Sequence, residues 1–96
     1  MDDLVTWLRA QIDDRERVVR AAKEIRKPYY FEFIDEAAQP FVDLMLDPDR
    51  ELAELDAKRR VLDLYEELNE PHLYEAIRLL ALPHADRPGY REEWRP

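Results

Sequence analysis

A single glycine, Gly89, is the feature that most limits what this chain of 96 residues can fold into. Glycine most readily takes the positive φ angles on which tight β-hairpin turns depend. One glycine also excludes the Gly-rich loops that bind nucleotide phosphates. The chain has seven prolines, so helices joined by proline-containing turns fit the composition better than a sheet of hairpins.

The first helix is predicted from Asp3 to Arg26, where capping and proline signals mark its ends. Asp2 or Asp3 is expected to cap it, because an acidic side chain accepts hydrogen bonds from the first backbone N–H groups. Pro28 follows, and the residue before a proline avoids the α conformation. The charged stretch "DDRER" leaves open whether the helix is continuous or bent. The predicted apolar stripe is Leu4, Leu8 and Ile12 with Trp7 beside them, continued by Val18 or Val19, Ala22 and Ile25.

The clearest helical pattern lies in "LDPDRELAELDAKRRVLDLYEELNE", where Asp47 is a suitable N-cap and Pro48 a suitable first residue. Pro71 then starts a shorter helix that ends at Pro83, and the apolar faces of both helices are broad enough to bury more than one neighbour. The predicted face of the longer helix consists of Ala53, Ala57, Val61, Leu64, Tyr65 and Leu68, extended by Leu55 and Leu62. The predicted stripe of the shorter helix consists of Leu73, Ile77 and Leu80.

The stretch "PYYFEFIDEAAQP" fits two structures. Its aromatic residues are typical of a short extended segment near residues 29–34, whereas "FIDEAAQ" is typical of a helical turn. We prefer a helix, because a single strand would have no partner. Pro40 then fits the first turn of a further short helix.

The tail "HADRPGYREEWRP" is predicted to be an ordered strap. Pro88-Gly89 is a turn signal, and Tyr90 and Trp94 would face the same side of one helical turn. One-sided aromatic residues usually indicate burial, although a peptide offered to a partner remains the alternative. The predicted fold is therefore one all-α domain over residues 1–96. Residues 1–85 would form a bundle of three to four helices, and residues 86–96 the strap.

The composition excludes most kinds of catalysis. The chain has no cysteine and no serine, and Thr6 is its only threonine, so nucleophiles are almost lacking. We expect no enzyme activity and no cofactor. One weak alternative is a metal-binding protein or metal-dependent enzyme. Its ligands would be His72, Glu75, His84 and Asp86, two pairs of N and O donors at the start and just past the end of the last helix.

The charge limits the partners and the location. A net charge of −8 and a pI near 4.7 make nucleic acid an unlikely ligand. Residues 15–27 are locally basic, with six basic against two acidic residues, and are predicted to be a solvated helix face with i,i+4 ion pairs. No apolar run approaches the roughly 20 residues of a membrane span, and the start does not look like a signal peptide. A cytoplasmic protein without membrane contact is therefore expected.

Three segments carry a resemblance: "DDLVTWLRAQIDDRERVVRAA", "DPDRELAELDAKRRVLDLYEEL" and "IRLLALPHADRPGYREEWRP". They resemble a family of small uncharacterised proteins, a domain of unknown function associated with actinobacteria and their mobile elements. The sequence departs from that family at "KEIRKPYYFEFIDE", where many relatives have a Thr-Pro-Gly-Pro-Trp-like segment. It departs again at "LNEPHLYEA", which lacks the cysteines that suggest metal binding in many relatives. The resemblance therefore implies fold boundaries, but no activity and no zinc site.

The predicted function is a non-catalytic interaction or regulatory protein, either a homodimer or an acidic adaptor for a host or phage protein. An aromatic cluster within an acidic segment is the predicted partner surface, and it would suit a basic protein. A core role for the same aromatic residues is the alternative. The surface consists of Tyr29, Tyr30, Phe31, Glu32, Phe33, Asp35, Glu36, Phe41 and Asp43.

Overall fold

A computed structural model of the protein describes residues 2–25 and 47–96. These residues contain three α-helices and no strand, which confirms the all-α fold class. The alternatives for residues 29–34 and the short helix expected at Pro40 fall outside the described residues. The helices are α1 (Asp3–Ile25), α2 (Pro48–Leu68) and α3 (Pro71–Ala81), followed by 3₁₀ turns at Leu82–His84 and Glu92–Trp94.

Helix α1 is continuous through its charged middle. Asp2 caps it, because its Oδ1 accepts a hydrogen bond from the Leu4 N–H at 2.9 Å. Val19 is buried and Val18 is 59% exposed, so the two alternatives for the stripe are resolved in favour of Val19. The buried residues of α1 are Leu4, Val5, Leu8, Ile12 and Val19.

Local signals place the ends of α2 and α3 where the sequence predicts them. Asp47 accepts a hydrogen bond from the Arg50 N–H at 3.0 Å, and Pro48 is the first helical residue. Asn69 ends α2 in the left-handed conformation, with φ of 50°, and its N–H donates to the Tyr65 carbonyl at 2.7 Å. Glu70 then caps α3 by accepting from the Leu73 N–H at 3.2 Å.

The predicted apolar face of α2 is wrong in its centre. Leu55 and Leu62 are the fully buried residues, whereas Leu64 and Leu68 are 48% and 61% exposed. Arg59 also lies on the side of α2 that faces α1, where it pairs with Asp13 and Glu16. A helical wheel assigns arginine to the solvent side and therefore favours the cluster of apolar residues as the inward side. In the structure, the inward side of α2 is rotated away from that cluster.

Helices α1 and α2 run antiparallel and are joined along their contact by ion pairs. Near the start of α1, Arg9 pairs with Asp63 and Glu66 at 2.7 and 2.8 Å. In the middle, the polarity is reversed, because Arg59 of α2 pairs with acidic residues of α1. Those residues are Asp13 and Glu16, each at 2.8 Å. Such partly exposed pairs add little stability individually.

Helix α3 completes the core from the other side. Ile77 and Ala81 are fully buried, in the same cluster as Leu62 of α2 and Leu8 of α1. A fully buried aliphatic side chain contributes roughly 1.5–3 kcal/mol, so these side chains supply most of the stability.

Candidate functional site

The C-terminal tail is docked onto the helices, as the strap prediction requires. Trp94 is 5% exposed, and its ring centre lies 5.6 Å from that of Trp7 in α1. Tyr90 completes the cluster, with ring centres 5.6 Å from Trp7 and 5.8 Å from Trp94. Offset and edge-to-face aromatic pairs at these distances are favourable. The most unusual part of the sequence is therefore committed to the fold.

Polar contacts hold the tail at several points. The Trp7 Nε1–H donates to the Pro88 carbonyl at 3.0 Å, and the Arg78 Nε–H of α3 donates to the Trp94 carbonyl at 3.1 Å. Arg91 pairs with Asp3 at the start of α1 at 3.0 Å. The tail thereby ties α1 to α3 and offers no free face with convergent polar groups.

The four predicted metal ligands are not gathered into one site. In the described part of the chain, no three His, Asp or Glu side chains come close enough to hold a metal ion. His72 is exposed and lies 2.8 Å from Glu70, and Glu75 pairs with Arg78 at 2.6 Å. His84 lies against the edge of Trp7, with ring centres 6.5 Å apart. Burial, followed by the charges of nearby cations, lowers the pKa of His84 below its usual range.

The described part of the basic stretch, residues 15–25, is paired with acidic residues, whereas Arg26 and Lys27 lie outside the described residues. Arg17 and Arg20 make pairs within the helix, with Asp14 and Glu16 respectively. Other members reach across to α2: Arg15 pairs with Glu51 at 2.9 Å, and Lys23 with Asp49 at 2.7 Å. The predicted i,i+4 pairing therefore accounts for only part of the stretch. These cations are engaged by carboxylates, which leaves them poorly suited to phosphate contacts.

An open cleft of about 450 Å³ lies where the start of α1 meets the end of α2, and it is lined by Asp2, Tyr65, Glu66 and Asn69. The Tyr65 hydroxyl donates to Asp2 at 3.4 Å, and burial and the Asp2 charge raise the pKa of Tyr65. Glu66 is already bound by Arg9. The cleft therefore combines a neutral phenol with engaged carboxylates, which is not an arrangement for acid–base catalysis.

The partner surface predicted at residues 29–43 lies outside the described residues. In the described residues, an apolar stripe runs along α2 beside its buried side, and one member, Val61, packs against the edge of the core. We call it the outer stripe: Ala53, Ala57, Val61, Leu64 and Leu68.

The outer stripe is continuous and accessible. Ala53 and Ala57 are exposed, Val61 is partly buried, and Leu64 and Leu68 are the most accessible large apolar residues of α2. Ala57, Val61, Leu64 and Leu68 are spaced by four, three and four residues, the interval that keeps side chains on one helix face. Sequence patterning grouped these residues with Leu55 and Leu62. One signal in the sequence could have separated the outer stripe from Leu55 and Leu62: α2 has more apolar positions than one side of a helix can hold, so some of them must be exposed.

Charged side chains flank the outer stripe. Arg60 pairs with Asp56 one turn earlier at 3.1 Å, and both side chains are well exposed. Glu67 lies two turns beyond Arg60 on the same flank and has no cation within ion-pair distance among the described residues. The stripe thus has an apolar centre with a charged border, which is typical of protein-binding surfaces.

A family model described as "Family of unknown function (DUF6221)" matches residues 1–96. The chain belongs to this family. The DUF6221 match confirms that the chain is a domain of unknown function, and it covers the whole sequence. No curated protein and no solved structure matches the chain. None of the helices among residues 2–25 and 47–96 is both long and apolar enough to span a membrane.

Proposed function

We propose that this protein is a non-catalytic interaction protein that binds its partner through the outer stripe of α2. The observation that carries the proposal is the exposure of Leu64 and Leu68, 48% and 61%, in line with Ala57 and Val61. Covering the exposed leucine surface with a partner would contribute roughly 25 cal/mol of hydrophobic free energy for each Å² buried. Anchors spaced by three and four residues are how an amphipathic helix binds a protein groove.

The chemistry of the chain supports a binding role over a catalytic one. With no cysteine or serine, the only aliphatic hydroxyl is that of Thr6, and it donates to the Asp2 carbonyl at 3.1 Å in the first turn of α1. The phenols of Tyr65 and Tyr74 have raised pKa values, first because of burial and then because of the Asp2 charge. They are therefore protonated and poor nucleophiles at neutral pH.

Three further elements belong to this proposal. A cysteine-free chain fits the cytoplasm, although it also fits other compartments. The aromatic-acidic residues 29–43 would provide a second contact surface for a basic protein. Association with mobile elements of actinobacteria is the biological setting that we expect from the sequence resemblance.

Site-specific photo-crosslinking in cells tests the proposal. A photoreactive side chain replaces Leu68, and the matched control carries it at Leu79 of α3, which is 57% exposed but lies outside the stripe. We expect protein adducts from position 68 and few from position 79, with masses identified by mass spectrometry. An absence of adducts at position 68, or the same adducts at both positions, would contradict the proposed binding surface.

A further inference from the structure

We infer that the outer stripe of α2 pairs with the outer stripe of a second copy of this chain, with the two α2 helices antiparallel. This inference rests on the proposed function and names the partner. Among the described residues, α1 and α3 contact the side of α2 where Leu55 and Leu62 are buried, which leaves Leu64 and Leu68 exposed. Val61 lies at the edge of the stripe and is partly buried against the core.

The sizes of the side chains favour an antiparallel pair. The four residues from Ala57 to Leu68 have the four–three–four spacing of a coiled-coil seam. In an antiparallel pair centred between Val61 and Leu64, Ala57 faces Leu68 of the second copy, and Val61 faces Leu64. Each smaller side chain then meets a larger one, so the layers of the seam have similar volumes. A parallel pair would instead place Ala57 against Ala57 and leave a gap at that end.

The flanking charges favour the same arrangement. Arg60 and Glu67 lie on one side of the stripe, seven residues apart. A twofold axis between antiparallel helices brings Arg60 of each copy to Glu67 of the other, which gives two equivalent ion pairs. Glu67 is available for this contact, since no described cation binds it within its own chain. In a parallel pair Arg60 would lie beside Tyr65 of the second copy, and the charges would not be matched.

The size of the contact sets the expected strength. One helix face buries less than the roughly 1,200–2,000 Å² of a standard stable interface, so we expect a weak, concentration-dependent dimer. Sedimentation equilibrium of the full chain over a wide concentration range measures this association directly.

Substitutions in the stripe test whether the association uses it. We expect the double variant Leu64→Gln/Leu68→Gln to be monomeric with unchanged helical circular dichroism, because both side chains are largely exposed. The matched control Leu79→Gln should associate like the unmodified chain. A monomeric unmodified chain at every concentration, or association that survives the double substitution, overturns the inference.

Charge reversal tests the orientation. Arg60→Glu and Glu67→Arg should each weaken the dimer severalfold, whereas the double variant Arg60→Glu/Glu67→Arg should recover the association. Failure of the double variant to recover it overturns the antiparallel pairing.

The lack of native cysteine allows a second test of orientation. When Val61→Cys and Leu64→Cys chains are mixed and oxidised, the mixed 61–64 disulfide should exceed both like–like products. Dominant like–like disulfides overturn the antiparallel arrangement.

The two proposals fail in different ways. If the chain is monomeric and position 68 still crosslinks to another protein, the second copy is ruled out while the proposed function stands. If position 68 crosslinks to nothing, the outer stripe is not a binding surface, and both proposals fall.

Discussion

Replacing Gly89 with alanine should loosen the C-terminal strap and destabilise the whole domain. Gly89 has a φ of +90°, and a Cβ atom built on it would lie 2.7 Å from Trp7 Nε1 and 3.0 Å from Trp7 Cδ1. The backbone at this turn therefore approaches the indole as closely as a glycine allows. Alanine would have to adopt a conformation that L-residues avoid, and it would also displace the Trp7 ring.

The expected loss of unfolding free energy in Gly89→Ala has three parts. A positive φ angle costs a residue with a Cβ roughly 1–2 kcal/mol. Moving the indole breaks the hydrogen bond to the Pro88 carbonyl, a loss of about 1 kcal/mol. Weakening the ring contacts of Trp7 with Tyr90 and Trp94 removes roughly another 1 kcal/mol. For a domain of this size each kcal/mol corresponds to about 4–8 °C, so a total of about 3–4 kcal/mol should lower the melting temperature by about 12–32 °C.

A matched variant separates backbone strain from the close contact. Asn69 is the other described residue with a positive φ angle, 50°, and it already carries a Cβ atom. Asn69→Ala should therefore cost only about 1 kcal/mol, the loss of asparagine's tolerance for this conformation. Thermal unfolding followed by circular dichroism gives both values, and tryptophan fluorescence reports the surroundings of Trp7 and Trp94 directly.

Two results would refute this reasoning. Equal melting temperatures for Gly89→Ala and Asn69→Ala would mean that the approach to Trp7 imposes no constraint. A Gly89→Ala protein that melts like the unmodified chain with unchanged fluorescence would mean that the tail does not dock through this turn.

Three further predictions follow from single side chains. Burial lowers the pKa of His84 from its usual 6.5, so the folded state favours the neutral ring. The unfolding free energy should therefore fall as the pH drops below about 6.5. His84→Gln should remove this part of the pH dependence, as measured by chemical denaturation. Arg59→Met keeps the aliphatic stem but removes the pairs with Asp13 and Glu16, so it should lower the melting temperature at low salt, with a smaller difference at high salt. An equal difference at both salt levels would point to packing. The Tyr90 hydroxyl is buried without a hydrogen-bond partner among the described residues, so Tyr90→Phe should keep or raise the melting temperature. A fall of several degrees would reveal a partner.

The helix ends could be predicted because their causes are local. Asp47, Pro48 and Pro71 act on backbone groups within one turn, and a sequence window contains the whole interaction. The inward side of α2 could not be predicted in the same way. It depends on contacts with another helix, such as those of Arg59 with acidic residues of α1, which span 43 and 46 positions in the sequence.

The strap could be predicted in part from local spacing, and in part it depends on contacts between residues that are far apart in the sequence. The i,i+4 spacing of Tyr90 and Trp94 correctly indicated burial on one side. The groups that receive them, Trp7 and Arg78, lie in different helices, and Trp7 is 81 positions away from the carbonyl that it binds. Only the assembled bundle shows why Gly89 stands at this turn. The partner surface predicted at residues 29–43 lies outside the described residues and stays a prediction. The outer stripe could not be singled out from the sequence, since apolar residues alone do not show which of two helix faces is covered.

The alternating polarity of the ion pairs between α1 and α2 has a consequence for alignment rather than for strength. If α1 slid along α2 by about one turn, Arg9 would approach Arg59 in one direction, and Asp13 would approach Asp63 in the other. Like charges so placed repel, whereas apolar side chains tolerate such a slip at modest cost. The exposed pairs therefore discriminate against misaligned helix hairpins. Together they favour a single register of α1 against α2 in the core.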